Sequence, residues 1–159
     1  MLTFRHATLD DAALLTELNQ QLIQDEGHRN RMTFAELEGR MRTWLKTDYQ
    51  AVLFEQAAEI VAYAVYRPEQ GATYLRQFFV KRQRRRQGIG RAAMRLLLHK
   101  IIAPGARVYL DVLVDNSPAR QFWRSIGFKD YALTLEWTQQ NERSLDAGSP
   151  PALAPDKTP

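Results

Sequence analysis

The chain has 159 residues, of which 45% are hydrophobic and 25% charged, with a net charge of +4 and no cysteine. This is the size and composition of a single globular domain that needs no metal or disulfide staple. It excludes collagen-like, coiled-coil and wholly disordered chains, and with them disulfides, zinc–thiolate centres, iron–sulfur clusters and a cysteine nucleophile. The longest mostly apolar stretch, 92–103, is broken by Arg95, His99 and Lys100 and is too short for a bilayer. The first six residues carry no apolar signal core, so a cytoplasmic location without a membrane is expected.

Thr8-Leu9-Asp10-Asp11 reads as a helix start with a capping box, followed by Leu14, Leu15, Leu18 and Leu22 at helical spacing. After a polar break, Thr33 and Glu36 form a second capping box. It opens a helix whose apolar stripe is Phe34, Leu37, Met41, Trp44 and Leu45. Residues 49–55 and 59–67 read as a hairpin of two strands, and residues 74–80 as a third, aromatic-rich strand. The basic run Lys81–Arg91 leads into a helix stopped by Pro104-Gly105. Residues 107–114 read as a strand, Pro118 starts a short helix, and Tyr131, Leu133, Leu135 and Trp137 alternate with other residues as a half-buried strand. This order predicts a mixed α/β sheet with a right-handed crossover helix. Residues 1–141 form the expected domain. Pro150, Pro151, Pro155 and Pro159 mark 142–159 as a flexible tail.

The chemistry is expected at Arg85-Arg86-Gln87-Gly88-Ile89-Gly90-Arg91. A strand, a basic loop, two glycines and a helix start make an anion cradle. Glycine allows close backbone approach, the first helix amides have no internal acceptor, and the helix dipole favours a phosphate there. The run lacks the Gly-Lys-Ser/Thr of a P-loop and the third glycine of a dinucleotide fingerprint. Three scattered histidines, His6, His28 and His99, give no metal pattern, and no metal is expected.

Arg85-x-x-Gly88-x-Gly90, supported by Leu110-x-Val112, Asn116, Ala119, Phe122, Gly127 and Phe128, resembles the GNAT family of N-acetyltransferases from Phe4 to Trp137. The resemblance implies an α/β acyl-CoA N-acyltransferase fold. That fold is a mixed, mostly antiparallel sheet of six to seven strands with helices on both faces and a splayed parallel pair at the centre. It also implies acetyl-CoA as cosubstrate, its pyrophosphate on the amides of Arg85–Arg91, and its pantetheine arm along Phe78, Phe79 and Val80. The Val80 amide would polarise the thioester carbonyl, with Asn116, Phe122 and Trp123 on the pantetheine and thiol side. The acceptor would be a primary amine of a small molecule or peptide.

An amine must lose its proton before it attacks, since a free lysine amine has a pKa near 10.4. Asp111 is the first candidate base. Glu26 and His28, in the break that by resemblance borders the acceptor pocket, are the second. Where many relatives carry a tyrosine acid, this chain carries Trp123, whose indole N–H donates no proton in such chemistry. Tyr74 or Tyr131 would then have to serve, or the thiolate leaves unassisted. Two other readings stand beside the enzyme: a nucleic-acid-binding module built on the arginine run, and a non-catalytic acyl-CoA-binding domain. The last strand could also pair with a second copy as a homodimer.

Overall fold

The structure, a computed structural model, describes residues 1–27 and 29–137. They fall into two compact units, Met1–Gly127 and one beginning at Phe128.

The first unit runs β1 (Thr3–His6), α1 (Ala12–Glu26), α2 (Phe34–Lys46), β2 (Gln50–Gln56), β3 (Glu59–Glu69), β4 (Ala72–Val80), α3 (Ile89–Leu96), β5 (Arg107–Tyr109) and α4 (Ser117–Ser125). Both capping boxes form. The Thr8 amide donates to Asp11 at 2.8 Å, closing a 3-10 turn over Leu9–Asp11 ahead of α1. The Thr33 amide donates to Glu36 at 2.7 Å at the start of α2. Arg5 grips Asp11 through two hydrogen bonds of 2.7 and 2.8 Å, which ties β1 to the entry of α1. Gly27 ends α1 in the left-handed conformation, φ 63°. A wider turn, Leu97–Ile101, prolongs α3.

The sheet order is β1-β2-β3-β4-β5, antiparallel throughout except for the parallel β4–β5 pair. Leu15, Leu18, Leu22 and Met41 of α1 and α2 pack with Leu53, Tyr63, Val65 and Phe79 on one face of the sheet. Strand alternation sends Phe78 and Val80 to the other face, where Val80 and Phe122 of α4 approach Gly90 of α3. The mixed, mostly antiparallel α/β sheet with helices on both faces is thus present.

Three details differ from expectation. The sheet has five strands among the described residues, and its parallel pair lies at the end rather than the centre. The strand expected over residues 107–114 stops at Tyr109. In the second unit, residues 131–137 form no strand, and Tyr131, Leu133 and Leu135 are 86%, 70% and 85% exposed. Apolar alternation makes a strand only where a neighbouring strand completes its hydrogen bonds and one face is covered, and the described residues supply this segment no ladder. Residues 142–159, expected as a tail, lie outside the described residues. No helix among the described residues is long and apolar enough to cross a membrane.

Candidate active site

Two parallel strands begin together and part. β4 and β5 pair only at Ala72–Arg107, Thr73–Val108 and Tyr74–Tyr109. β4 continues to Val80, while the chain after Tyr109 leaves the ladder. Among the described residues no strand therefore pairs with the edge of β4 from Leu75 to Val80 on the β5 side. At its end the Lys81 amide donates to the Val61 carbonyl at 2.9 Å. Antiparallel pairing alternates inward and outward polar groups, so the N–H and C=O of Val80 face away from β3, toward the gap. The Val80 carbonyl accepts from Arg85 Nε at 2.9 Å.

The basic run that follows is tied to the fold by two carboxylates, which offset half the charge of the four cations they hold. Arg84 and Lys81 pair with Glu59, and Arg82 and Arg85 pair with Asp25 near the end of α1. Burial pushes the Asp25 carboxyl up, but hydrogen bonds from Arg82 and Arg85 outweigh it and hold the group below its ordinary value. Hydrogen bonds from Arg84 and then Lys81 lower Glu59 likewise. Arg85 lies over the Phe79 ring at 5.1 Å and bridges β4 to α1. Gln87 closes on the Gln83 carbonyl at 3.0 Å, and Arg91 reaches Ser125 at 3.4 Å.

What the loop presents at its far end is backbone. Arg86 and Gly88 take left-handed conformations, φ 62° and 78°, and turn the chain into α3. Among the described residues no side chain caps that helix. Its first amides therefore keep the unpartnered donors and partial positive charge of a helix N-terminus. The two glycines have different reasons. A Cβ on Gly88 would meet nothing within 4 Å, so glycine is there for its dihedral angle and leaves open space. A Cβ on Gly90 would stand 3.1 Å from the Phe122 ring and 3.6 Å from Val80, so glycine is there for close packing. Ile89 is buried and anchors the turn.

On the same face Phe78 stacks on Phe122 with centroids 5.9 Å apart and meets Trp123 at 5.6 Å. Asn116 caps α4 by accepting from the Ala119 amide at 3.2 Å. Of the residues expected around a coenzyme, Phe78, Val80, Gly90, Phe122 and Trp123 thus come together. Phe79 does not, because its side chain faces the α1–α2 core, 6.2 Å from Tyr63.

The other face holds the groups able to move a proton. The Tyr74 hydroxyl donates to Asp111 at 2.9 Å, and its ring stacks on Tyr109 at 5.1 Å. Burial, then the bond to Asp111, pushes the Tyr74 phenol up to about 12. Glu26, half-buried at the end of α1, has its carboxyl raised by burial and then by the Asp25 charge. His28 lies outside the described residues.

A bulge supplies what sequence reasoning missed. Val65 faces Gln77 and Tyr66 faces Leu75, so Arg76 is an extra residue without a partner on β3. The bulge turns Arg76 and Gln77 to the same side. Arg76 lies over Trp44 of α2, and Gln77 joins Tyr63 (3.1 Å) to Asn19 (2.7 Å) in a buried polar chain. No local signal in the β4 sequence marks the bulge, which depends on pairing with β3.

Comparison with known proteins places this architecture. Residues 13–128 match the model of the Acetyltransferase (GNAT) family. An N-alpha-acetyltransferase of Sulfurisphaera tokodaii is 30% identical over 119 residues, spanning 65% of this chain and 71% of that protein. Among solved structures, the ribosomal-protein-alanine N-acetyltransferase of Brucella melitensis biovar Abortus 2308 superposes with a TM-score of 0.67 at 17% identity, covering 87% of this chain and 100% of the other. A predicted acetyltransferase of Clostridium acetobutylicum, solved with acetyl-CoA, gives 0.66 at 19% identity, covering 89% and 99%.

Proposed function

The chain belongs to the GNAT acetyltransferase family, and from that premise we propose that it is an N-acetyltransferase that uses acetyl-CoA and acetylates a primary amine of a small molecule or peptide. The observation that carries this reading is the parting of β4 and β5 after Tyr74 and Tyr109, beside a helix start whose amides are bare. The open space over Gly88 and the uncapped amides of α3 suit a pyrophosphate. The acetyl-CoA seen with the Clostridium acetobutylicum neighbour is of the same chemistry.

Bound acetyl-CoA would supply an activated thioester. In this reading the amides from Gly88 to Arg91 hold the diphosphate, with Arg85, Arg86 and Gln87 shaping the loop. The open edge of β4 at Phe78, Phe79 and Val80 pairs with the pantetheine arm, and Phe78, Phe122 and Trp123 wall the thiol end beside Asn116. The Val80 N–H is aimed into the gap, where charge grows on the thioester oxygen as the amine attacks. Removing such a fixed donor costs other enzymes about 3–4 kcal/mol. Asp111 takes the amine proton, and Tyr74 fixes the orientation of its carboxylate. Glu26, at the end of α1, borders the acceptor. Glu59 and Asp25 engage Lys81, Arg82, Arg84 and Arg85 and offset half of their charge, which weakens the run as a nucleic-acid face, since such a face depends on cations free to meet phosphates.

Acetyl-CoA is expected to raise the thermal midpoint of the wild type. Gly88→Glu, which puts a carboxylate in the phosphate space, should abolish that shift. Gly88→Ala, which carries the backbone strain without the charge, should keep most of it. A screen of amines with acetyl-CoA, read as released thiol, tests turnover. An unchanged shift in Gly88→Glu, or no thiol released by any amine, would overturn the corresponding half of the proposal.

A further inference from the structure

Arg40 and Arg76 are two cations held on one ring, and among the described residues neither has a carboxylate partner. Both guanidinium carbons stand 4.6 Å from the Trp44 ring centroid, Arg40 from one turn earlier on α2 and Arg76 from the β4 bulge. Arg5, Arg42, Arg67, Arg82, Arg84 and Arg85 all have one. Among the described residues Arg40 Nε is buried with no acceptor, and Nη1 meets the Met32 sulfur at 3.4 Å. Burial, and then the charge of Arg76, lowers Arg40 from its ordinary value. Like charges held together and partly desolvated are unfavourable until an anion joins them. The Trp44 ring meanwhile holds both guanidinium groups in place.

The pair shares its face of the sheet with the proposed proton acceptor. Tyr74, which holds Asp111 at 2.9 Å, stands two residues before Arg76 on β4, and the two are joined through one aromatic cluster: Arg67 lies over the Tyr74 and Tyr49 rings, and Arg76 lies 5.8 Å from the Tyr49 ring. An acceptor that carries both an ammonium group and a carboxylate would find a partner at each end of this stretch. We propose that Arg40 and Arg76 form a carboxylate-binding subsite for the acceptor, so that the amine this protein acetylates bears a carboxylate. This rests on the acetyltransferase reading, and it adds the chemical class of the substrate. Two sources share that chemistry: the α-carboxylate of a free amino acid and an acidic side chain beside a peptide N-terminus. Guanidinium binds either in the same forked geometry.

Two acceptor pairs separate the sources: L-alanine against L-alaninamide, and the amidated tetrapeptide Ala-Asp-Ala-Gly against Ala-Asn-Ala-Gly. The expected result is a kcat/KM ratio of about tenfold or more in favour of the carboxylate member of one pair, as suits a charge-assisted hydrogen bond. The pair that shows it identifies the source. Arg76→Gln should lower that ratio to about twofold or less through the KM of the carboxylate member, and Arg76→Lys should restore part of it. Arg40→Gln should act in the same direction. If its thermal midpoint falls too far, the exposed strand position Arg76 carries the test alone. Thiol release with other amines but no carboxylate preference, or a preference that survives Arg76→Gln, overturns the subsite and leaves the acetyltransferase reading intact. If no amine releases thiol, that reading fails by itself. Calorimetric titration with the same four compounds then decides the subsite: tighter binding of a carboxylate member, lost in Arg76→Gln, upholds it, and equal or absent binding overturns it.

Discussion

The Tyr74 hydroxyl donates a 2.9 Å hydrogen bond to Asp111 just past the point where their two strands stop pairing. In this bond the phenol is the donor and the Asp111 carboxyl the acceptor. With the phenol pushed up to about 12, Tyr74 keeps its proton across the working range. The kcat/KM profile should therefore rise as the acceptor amine deprotonates and show no falling limb from Tyr74 below about pH 11. Asp111→Asn is expected to lower kcat by about 100-fold or more, the usual effect of losing a positioned base. Tyr74→Phe keeps the base and loses only its orienting bond, so its loss should be much smaller. Steady-state rates between pH 6 and 10 decide the matter, and full turnover in Asp111→Asn would remove that residue from the reaction.

Gly90 and Phe122 are coupled by contact. Alanine in a helix gains about 0.5–1 kcal/mol over glycine, but here the new Cβ would stand 3.1 and 3.2 Å from two atoms of the Phe122 ring. Gly90→Ala should therefore stabilise the protein only in a Phe122→Ala background, and the gain should vanish or reverse in the wild type. Urea unfolding of the four variants measures the coupling, expected at about 0.5 kcal/mol or more for residues in contact. The same effect of Gly90→Ala in both backgrounds would show that the ring yields freely.

At Gly88 the obstacle is the backbone alone. The position sits at φ 78° with nothing within 4 Å of a built Cβ. Gly88→Ala is expected to cost about 1–2 kcal/mol, and Gly88→Asn less, because asparagine tolerates the left-handed region better. Equal stability of all three proteins in thermal unfolding would mean that this turn can relax.

The parts of the fold legible in the sequence are those set by near neighbours. Thr8 with Asp11 and Thr33 with Glu36 lie three residues apart, and each forms its cap locally. Gly88-Ile89-Gly90 after a strand likewise announces a helix start with open amides. What escaped sequence reading is set by distant partners. Asp25 meets Arg82 and Arg85 from a separate helix, and nothing local to the basic run marks those two as ion-paired. Arg76 reads as an ordinary strand residue, and only its lack of a partner on β3 makes it a bulge that turns toward Trp44. The alternation at Tyr131, Leu133, Leu135 and Trp137 reads as a strand, but a strand also requires a ladder partner.

Asp25 holds the loop before α3 against α1, and its charge makes that restraint depend on pH. Its carboxyl is lowered in the folded protein because the bonds from Arg82 and Arg85 outweigh burial. A lowered carboxyl contributes stability that is fully present above its unfolded value, near 3.8, and is lost as pH falls through the folded value. Both arginines are well exposed, at 49% and 40% of their side-chain area, so solvent screening limits the effect. Asp25→Asn should cost about 1 kcal/mol at pH 7. The gap between the two proteins should then close as pH falls toward 2, since the wild-type carboxyl becomes neutral and resembles the amide. Urea unfolding at pH 7 and under acid conditions measures both gaps. A difference that stays constant over that range would mean that Asp25 acts through packing and not through its charge.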